Sequence, residues 1–93
     1  MFKTNEYFDG KVKSISFQSD RGPATVGAMS EGEYVFGTTT KEYMTIISGS
    51  MEVLVPGQAD WLVFTDGQTF SIEQDVKFKV RVRKDVAYLC IYE

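Results

Sequence analysis

Apolar and polar residues alternate with a period of two along most of the chain, and no longer window carries the i, i+3, i+4, i+7 spacing of an amphipathic helix. The pattern predicts strands over VKSISF (12–17), PATVGAM (23–29), EYVFGT (33–38), YMTIIS (43–48), MEVLV (51–55), DWLVF (60–64), TFSI (69–72), KFKVRVR (77–83) and VAYLCIY (86–92). Turn residues punctuate them at Arg21-Gly22-Pro23, Ser48-Gly49-Ser50, Pro56-Gly57 and Asp66-Gly67, where φ must be positive or fixed. Many short strands separated by glycine turns predict an all-β sandwich or barrel.

Two strands stand out. KFKVRVR places Phe78, Val80 and Val82 on one face and Lys77, Lys79, Arg81 and Arg83 on the other. The cationic face reads either as an anion site or as a solvated face whose lysines protect a sheet edge. In VAYLCIY, Tyr88, Cys90 and Tyr92 alternate with Leu89 and Ile91, so both faces are apolar, and Trp61 lies beside another such run. Burial on both sides predicts a central strand or one covered by a second copy of the chain.

Composition narrows the chemistry. A chain of 93 residues forms one domain, 1–93, and 43% hydrophobic with 25% charged residues is ordinary globular usage. The absence of histidine removes Ser-His-Asp and Cys-His machinery and histidine-ligated zinc, leaving carboxylates, Lys, Tyr and the backbone. A lone cysteine, Cys90, forms no intrachain disulfide and reads as a buried packing residue; this favours the cytoplasm. No segment reads as a signal peptide or membrane span, and a net charge of −3 gives no footprint for nucleic acid or an anionic membrane.

Between Gly32 and Gly49, GEYVFGTTTKEYMTIISG resembles the first cupin motif, with Glu42 and Gly49 at the spacing of its glutamate and turn glycine. The positions of that motif's histidine pair hold Phe36 and Thr38, or Val35 and Gly37 with a longer spacer; a second motif starting at Gly67 would put its histidine at Phe78. The chain therefore reads as a small antiparallel cupin, a β-barrel or jelly roll, without its metal ligands. If Phe36 and Thr38 face inward, alternation adds Tyr34, and the next strand supplies Glu42, Met44, Ile46 and Ser48. These residues either fill the barrel or line a pocket. A carboxylate aimed into an apolar barrel requires a partner or a ligand.

NEYFDGKVKSISF (5–17), GAMSEGEYVF (27–36), EYMTIISG (42–49), Trp61 and YLCIY (88–92) together resemble the bacterial pyrimidine/purine nucleoside phosphorylase family over essentially the full length. The resemblance implies a metal-free, dimeric cupin that uses phosphate to cleave uridine, cytidine, thymidine, adenosine, guanosine, inosine and xanthosine to the free base and α-D-ribose 1-phosphate, in nucleoside salvage. It implies no cofactor; phosphate is a co-substrate.

The residues offer matching roles. Glu42 suits the ribose hydroxyls and positive charge growing at C1′. Tyr34, Phe36, Met44 and Phe78, with Thr38 beside them, suit a slot for the base, because stacking on aromatic rings tolerates any base. Thr39 and Thr40 after Gly37, together with Lys11, Lys13 or Arg21, are the phosphate candidates, each also readable as ordinary turn or surface residues. Arg81 lies on the strand face opposite Phe78 and so points away. A non-catalytic cupin that binds a nucleoside, sugar or aromatic ligand is the alternative; a sugar isomerase or lyase is disfavoured by the missing metal ligands and histidine.

Overall fold

The computed structural model describes residues 2–93. The strands are β1 (Lys3–Tyr7), β2 (Val12–Ser19), β3 (Gly22–Met29), β4 (Gly32–Gly37), β5 (Glu42–Ser48), β6 (Ser50–Leu54), β7 (Leu62–Thr65), β8 (Thr69–Ile72), β9 (Lys77–Val82) and β10 (Val86–Tyr92). They form a six-stranded sheet ordered β1-β2-β3-β10-β5-β8 and a four-stranded sheet ordered β4-β9-β6-β7, with every pairing antiparallel. Among the described residues no helix is long and apolar enough to cross a membrane.

Alternation sends one set of side chains from each sheet into the space between them. Val12, Met29, Met44, Ile46, Tyr88 and Cys90 from the larger sheet meet Tyr34, Met51, Val53, Phe78, Val80 and Val82 from the smaller. Burying such a side chain contributes about 1.5–3 kcal/mol each. The chain passes from the first sheet to the second at Gly49, whose φ is 105°. A side chain there would sit 3.1 Å from the Asp85 carbonyl, so both the conformation and the close approach require glycine.

Four expectations change. The segment KTNEY, polar and without apolar alternation, forms β1; it is held by pairing with β2 and by Asn5 Nδ2 donating to Ser14 Oγ at 3.1 Å and Ser16 Oγ at 2.9 Å. The lysine-bearing β9 is interior, between β4 and β6, so its cations protect no edge. Trp61 precedes β7 and lies over Arg81 at 4.2 Å, and β7 is an edge strand with Leu62 and Val63 exposed, not a strand buried on both faces. Ser48 is exposed because the β5–β10 register shifts beside Ala87 and Tyr88, ending the inward alternation at Ile46. β10 is a central strand, as its two apolar faces predict.

Candidate active site

Toward one end of the sheets the core opens into a cavity of about 540 Å³, within the usual range for small-molecule sites. Its walls differ in chemistry. Phe36 from β4, Phe78 from β9 and Phe8 from the β1–β2 turn form an aromatic wall, with Phe36 at 5.7 Å from Phe78 and 5.6 Å from Phe8. Facing it, β5 and β10 of the larger sheet present Glu42, Met44, Tyr88, Cys90 and Tyr92. Ser14, Val12 and Met29 also line it, and among the described residues no lysine or arginine does.

The acidic wall follows from register. Cys90 pairs with Met44 and Tyr92 with Glu42, so alternation on adjacent strands brings the thiol, the phenol and the carboxylate to one face. The Cys90 thiol donates to Glu42 Oε1 at 3.4 Å, the one side-chain hydrogen bond to this carboxylate among the described residues. Burial pushes the Glu42 pKa above its ordinary value, and the Cys90 bond offsets part of that rise. Burial also raises the Cys90 thiol, then the neighbouring Glu42 charge raises it further, which keeps it protonated and inert as a nucleophile. Burial lifts Tyr88 to about 12 and Tyr92 upward as well, while Tyr92 shares a 3.0 Å hydroxyl contact with Thr25. The wall thus carries protonated donors around a carboxylate with acceptor capacity to spare.

Of the residues singled out from sequence, Glu42, Met44, Phe36, Phe78 and Thr39 line the cavity. Tyr34 does not; it lies buried behind Phe36, at 6.1 Å, with its hydroxyl donating to the Ser30 carbonyl at 2.6 Å. Thr38 is buried too: its Oγ1 donates to the Glu73 carbonyl at 2.6 Å and accepts from the Val76 amide at 3.1 Å, closing the loop after β4. Thr40 bonds the Lys41 carbonyl at 3.3 Å and is not a lining residue. Lys11 is exposed, and Lys13 pairs with Glu6 at 3.2 Å on the outer side of β2, opposite the inward Val12 and Ser14. Arg81 faces outward.

Sequence reasoning missed Tyr7, the last residue of β1, and Phe8 in the turn that follows, and placed Cys90 in the core without its contact to Glu42. The parity of Tyr88, Cys90 and Tyr92 was the available signal for that contact. Phe36, Thr38 and Phe78, which motif spacing set at the cupin histidines, include no metal donor except weakly through a hydroxyl. Among the described residues no group of three or more His, Cys, Asp or Glu is arranged to hold a metal ion.

The pattern of the pyrimidine/purine nucleoside phosphorylase family matches residues 2–92. A pyrimidine/purine nucleoside phosphorylase of Alcanivorax borkumensis is 56% identical over 92 residues, covering 99% of this chain and 98% of that protein. The chain belongs to this family. A crystal structure of a Vibrio parahaemolyticus protein of unknown function superposes with a TM-score of 0.93 at 40% identity, covering 97% of this chain and 96% of the other. An RmlC-like cupin from Shewanella frigidimarina, 17% identical, superposes with a TM-score of 0.75 over 96% of this chain and 80% of its own, which establishes the cupin fold. In this family member Phe36 and Phe78 stand in the aromatic wall and Glu42 faces them across the cavity.

Proposed function

We propose that the protein is a nucleoside phosphorylase of low base selectivity, converting the purine and pyrimidine nucleosides named above, with phosphate, to free base and α-D-ribose 1-phosphate. The observation that carries this reading is the two-walled cavity, with an undersaturated carboxylate opposite a cluster of aromatic rings. A base lies against Phe36, which is backed by the buried Phe78 and recognises the base by its flat face, so that one ring or two is accepted. The ribose then meets Glu42, which accepts hydrogen bonds from its hydroxyls and supports the positive charge growing at C1′ as the C1′–N bond lengthens. A phosphate oxygen bonds to C1′, the C–N electron pair leaves with the base, and the proton of hydrogen phosphate is, in net terms, the proton the base gains. Thr39, at the cavity edge, is the phosphate donor this reading retains.

A specific observation favours a second reading. Among the described residues the cavity lining holds no lysine or arginine to fix phosphate, as expected of a non-catalytic cupin that binds a nucleoside or another aromatic ligand. Purified protein incubated with uridine or adenosine, with and without phosphate and with a chelator, separates the two. Base release that requires phosphate and survives the chelator supports the phosphorylase, whereas binding without release supports the alternative.

The same proposal places the enzyme in the cytoplasm, in nucleoside salvage, as a homodimer with no resident cofactor and no nucleic-acid or membrane partner. Support for the dimer comes from the outer face of the larger sheet, where Ile15, Val26, Leu89 and Thr45 form one row across β2, β3, β10 and β5. Ile15 is 41% exposed there. Sedimentation equilibrium of the wild type and Leu89→Lys checks it: a dimer that the charged variant dissociates is expected.

A further inference from the structure

Strand alternation should send consecutive residues to opposite faces, yet Tyr7 and Phe8 both line the cavity. The backbone explains it: β1 ends at Tyr7, and φ is 54° at Phe8, 57° at Asp9 and 85° at Gly10. Glycine adopts such values freely and aspartate tolerates them, but a bulky aromatic residue rarely does. The turn is closed by the Gly10 amide donating to the Tyr7 carbonyl at 3.1 Å and the Lys11 amide to the Phe8 carbonyl at 3.2 Å. A glycine at position 8 would relieve the backbone. The sequence instead holds a phenyl ring in a costly conformation, and such outliers concentrate where a side chain has to be aimed.

What the ring is aimed at is visible in its contacts. It lies 4.9 Å from Tyr34 and 5.6 Å from Phe36, centroid to centroid, and nearly perpendicular to Phe36 at 87°. Even so it is 42% exposed, so packing on these neighbours leaves much of the ring open. Two perpendicular rings make a corner: a planar heterocycle stacked on one presents its edge to the other, both favourable arrangements for aromatic groups. No hydrogen-bonding group of Phe8 reads the identity of that heterocycle.

We propose that Phe8 is a base-positioning residue that forms, with Phe36, the corner accepting the nucleobase, and that its strained turn exists to place it there. This inference rests on the phosphorylase reading for the identity of the substrate, while the contact with a flat heterocycle stands on the geometry. Phe8→Leu keeps apolar volume against Tyr34 and Phe36 but removes the π-face, and Phe8→Tyr keeps the face.

Steady-state kinetics with uridine and with adenosine, each with phosphate, should show KM raised roughly tenfold by Phe8→Leu for both, from lost stacking. Phe8→Tyr should restore wild-type KM, kcat should change less than KM, and both variants should melt within a few degrees of wild type. Wild-type KM in Phe8→Leu, or an effect confined to kcat, overturns the proposal, as does a Phe8→Tyr variant as weak as Phe8→Leu. If Phe8→Leu fails to fold, Phe8→Met decides on the same criteria. If wild-type protein releases no base, the phosphorylase reading fails, and calorimetric binding of uracil and adenine then judges Phe8 by itself. Binding weakened by Phe8→Leu supports the corner; equal binding by the two proteins, or none by wild type, overturns it.

Discussion

Glu42 and Glu52 stand on consecutive strands of opposite sheets and meet opposite fates. Glu52, on the outer face, accepts two hydrogen bonds from Arg81, at 3.1 and 3.0 Å, and a third from Arg83 Nε at 2.8 Å. Arg81 first, and Arg83 after it, draw the Glu52 pKa down to about 2. Glu42 has a single weak donor, the Cys90 thiol, and burial moves its pKa the other way. A carboxylate saturated by cations has little left to offer a ligand, whereas one held in a half-buried cavity with open acceptor sites can bind one. Environments that push two like groups apart in pKa are how one fold separates structural from chemical carboxylates.

The largest expected effect breaks the comparison at its functional end. Glu42→Gln should keep the fold and lower kcat/KM for phosphorolysis by roughly 10²-fold, on the scale of removing one transition-state electrostatic contact. Glu52→Gln should leave kcat/KM within about twofold, a surface change remote from chemistry. Steady-state assays of the two side by side decide, and equal losses would erase the distinction. Next in size, Phe36→Ala leaves both carboxylates intact and removes the surface that Glu42 faces. KM should rise by roughly tenfold for several bases together, on stacking energies of about 1–3 kcal/mol; a rise for one base alone would contradict a shape-based slot.

A third effect is smaller and differs in sign between the two residues. The raised Glu42 pKa means that the folded state binds its proton more tightly than the unfolded chain. That stabilisation is complete below the ordinary glutamate value of 4.5 and is lost as pH rises through the Glu42 value. The depressed Glu52 pKa contributes stability above 4.5 that is lost as pH falls toward about 2. Urea melts across this range should show Glu42→Gln flattening the upper limb and Glu52→Gln flattening the acid limb. The smallest effect dissects the outer cluster. Arg81→Ala should lower the melting temperature more than Arg83→Ala, because Arg81 also lies over Trp61 at 4.2 Å and is the less exposed of the two.

Much of this contrast was legible in the amino-acid sequence, and the parts that were not share a cause. Period-two alternation located β9, β10 and the inward parity of Glu42 and Met44, since side-chain direction in a regular strand is a local property. Parity also sent Arg81 outward, although its partner Glu52 and its stacking on Trp61 depend on the order of strands in the sheet. Where pairing or backbone conformation decides, the pattern is silent. KTNEY has no apolar face and becomes a strand through β2 alone, and Phe8 enters the cavity through a left-handed turn. Lys11, Lys13 and Thr40 had suitable chemistry for phosphate, but their placement is set by register and by their own local contacts. Thr38 had the inward parity of a site residue and is consumed by the loop after β4.

The most direct test is a carboxyl-carbon NMR titration of protein labelled at glutamate, assigned with Glu42→Gln and Glu52→Gln, before and after addition of uridine and phosphate. The Glu42 signal should titrate above the ordinary glutamate range and shift on ligand addition, while the Glu52 signal should titrate at about 2 and stay where it is. A Glu42 signal that titrates at or below the ordinary range and ignores the ligand would contradict this expectation.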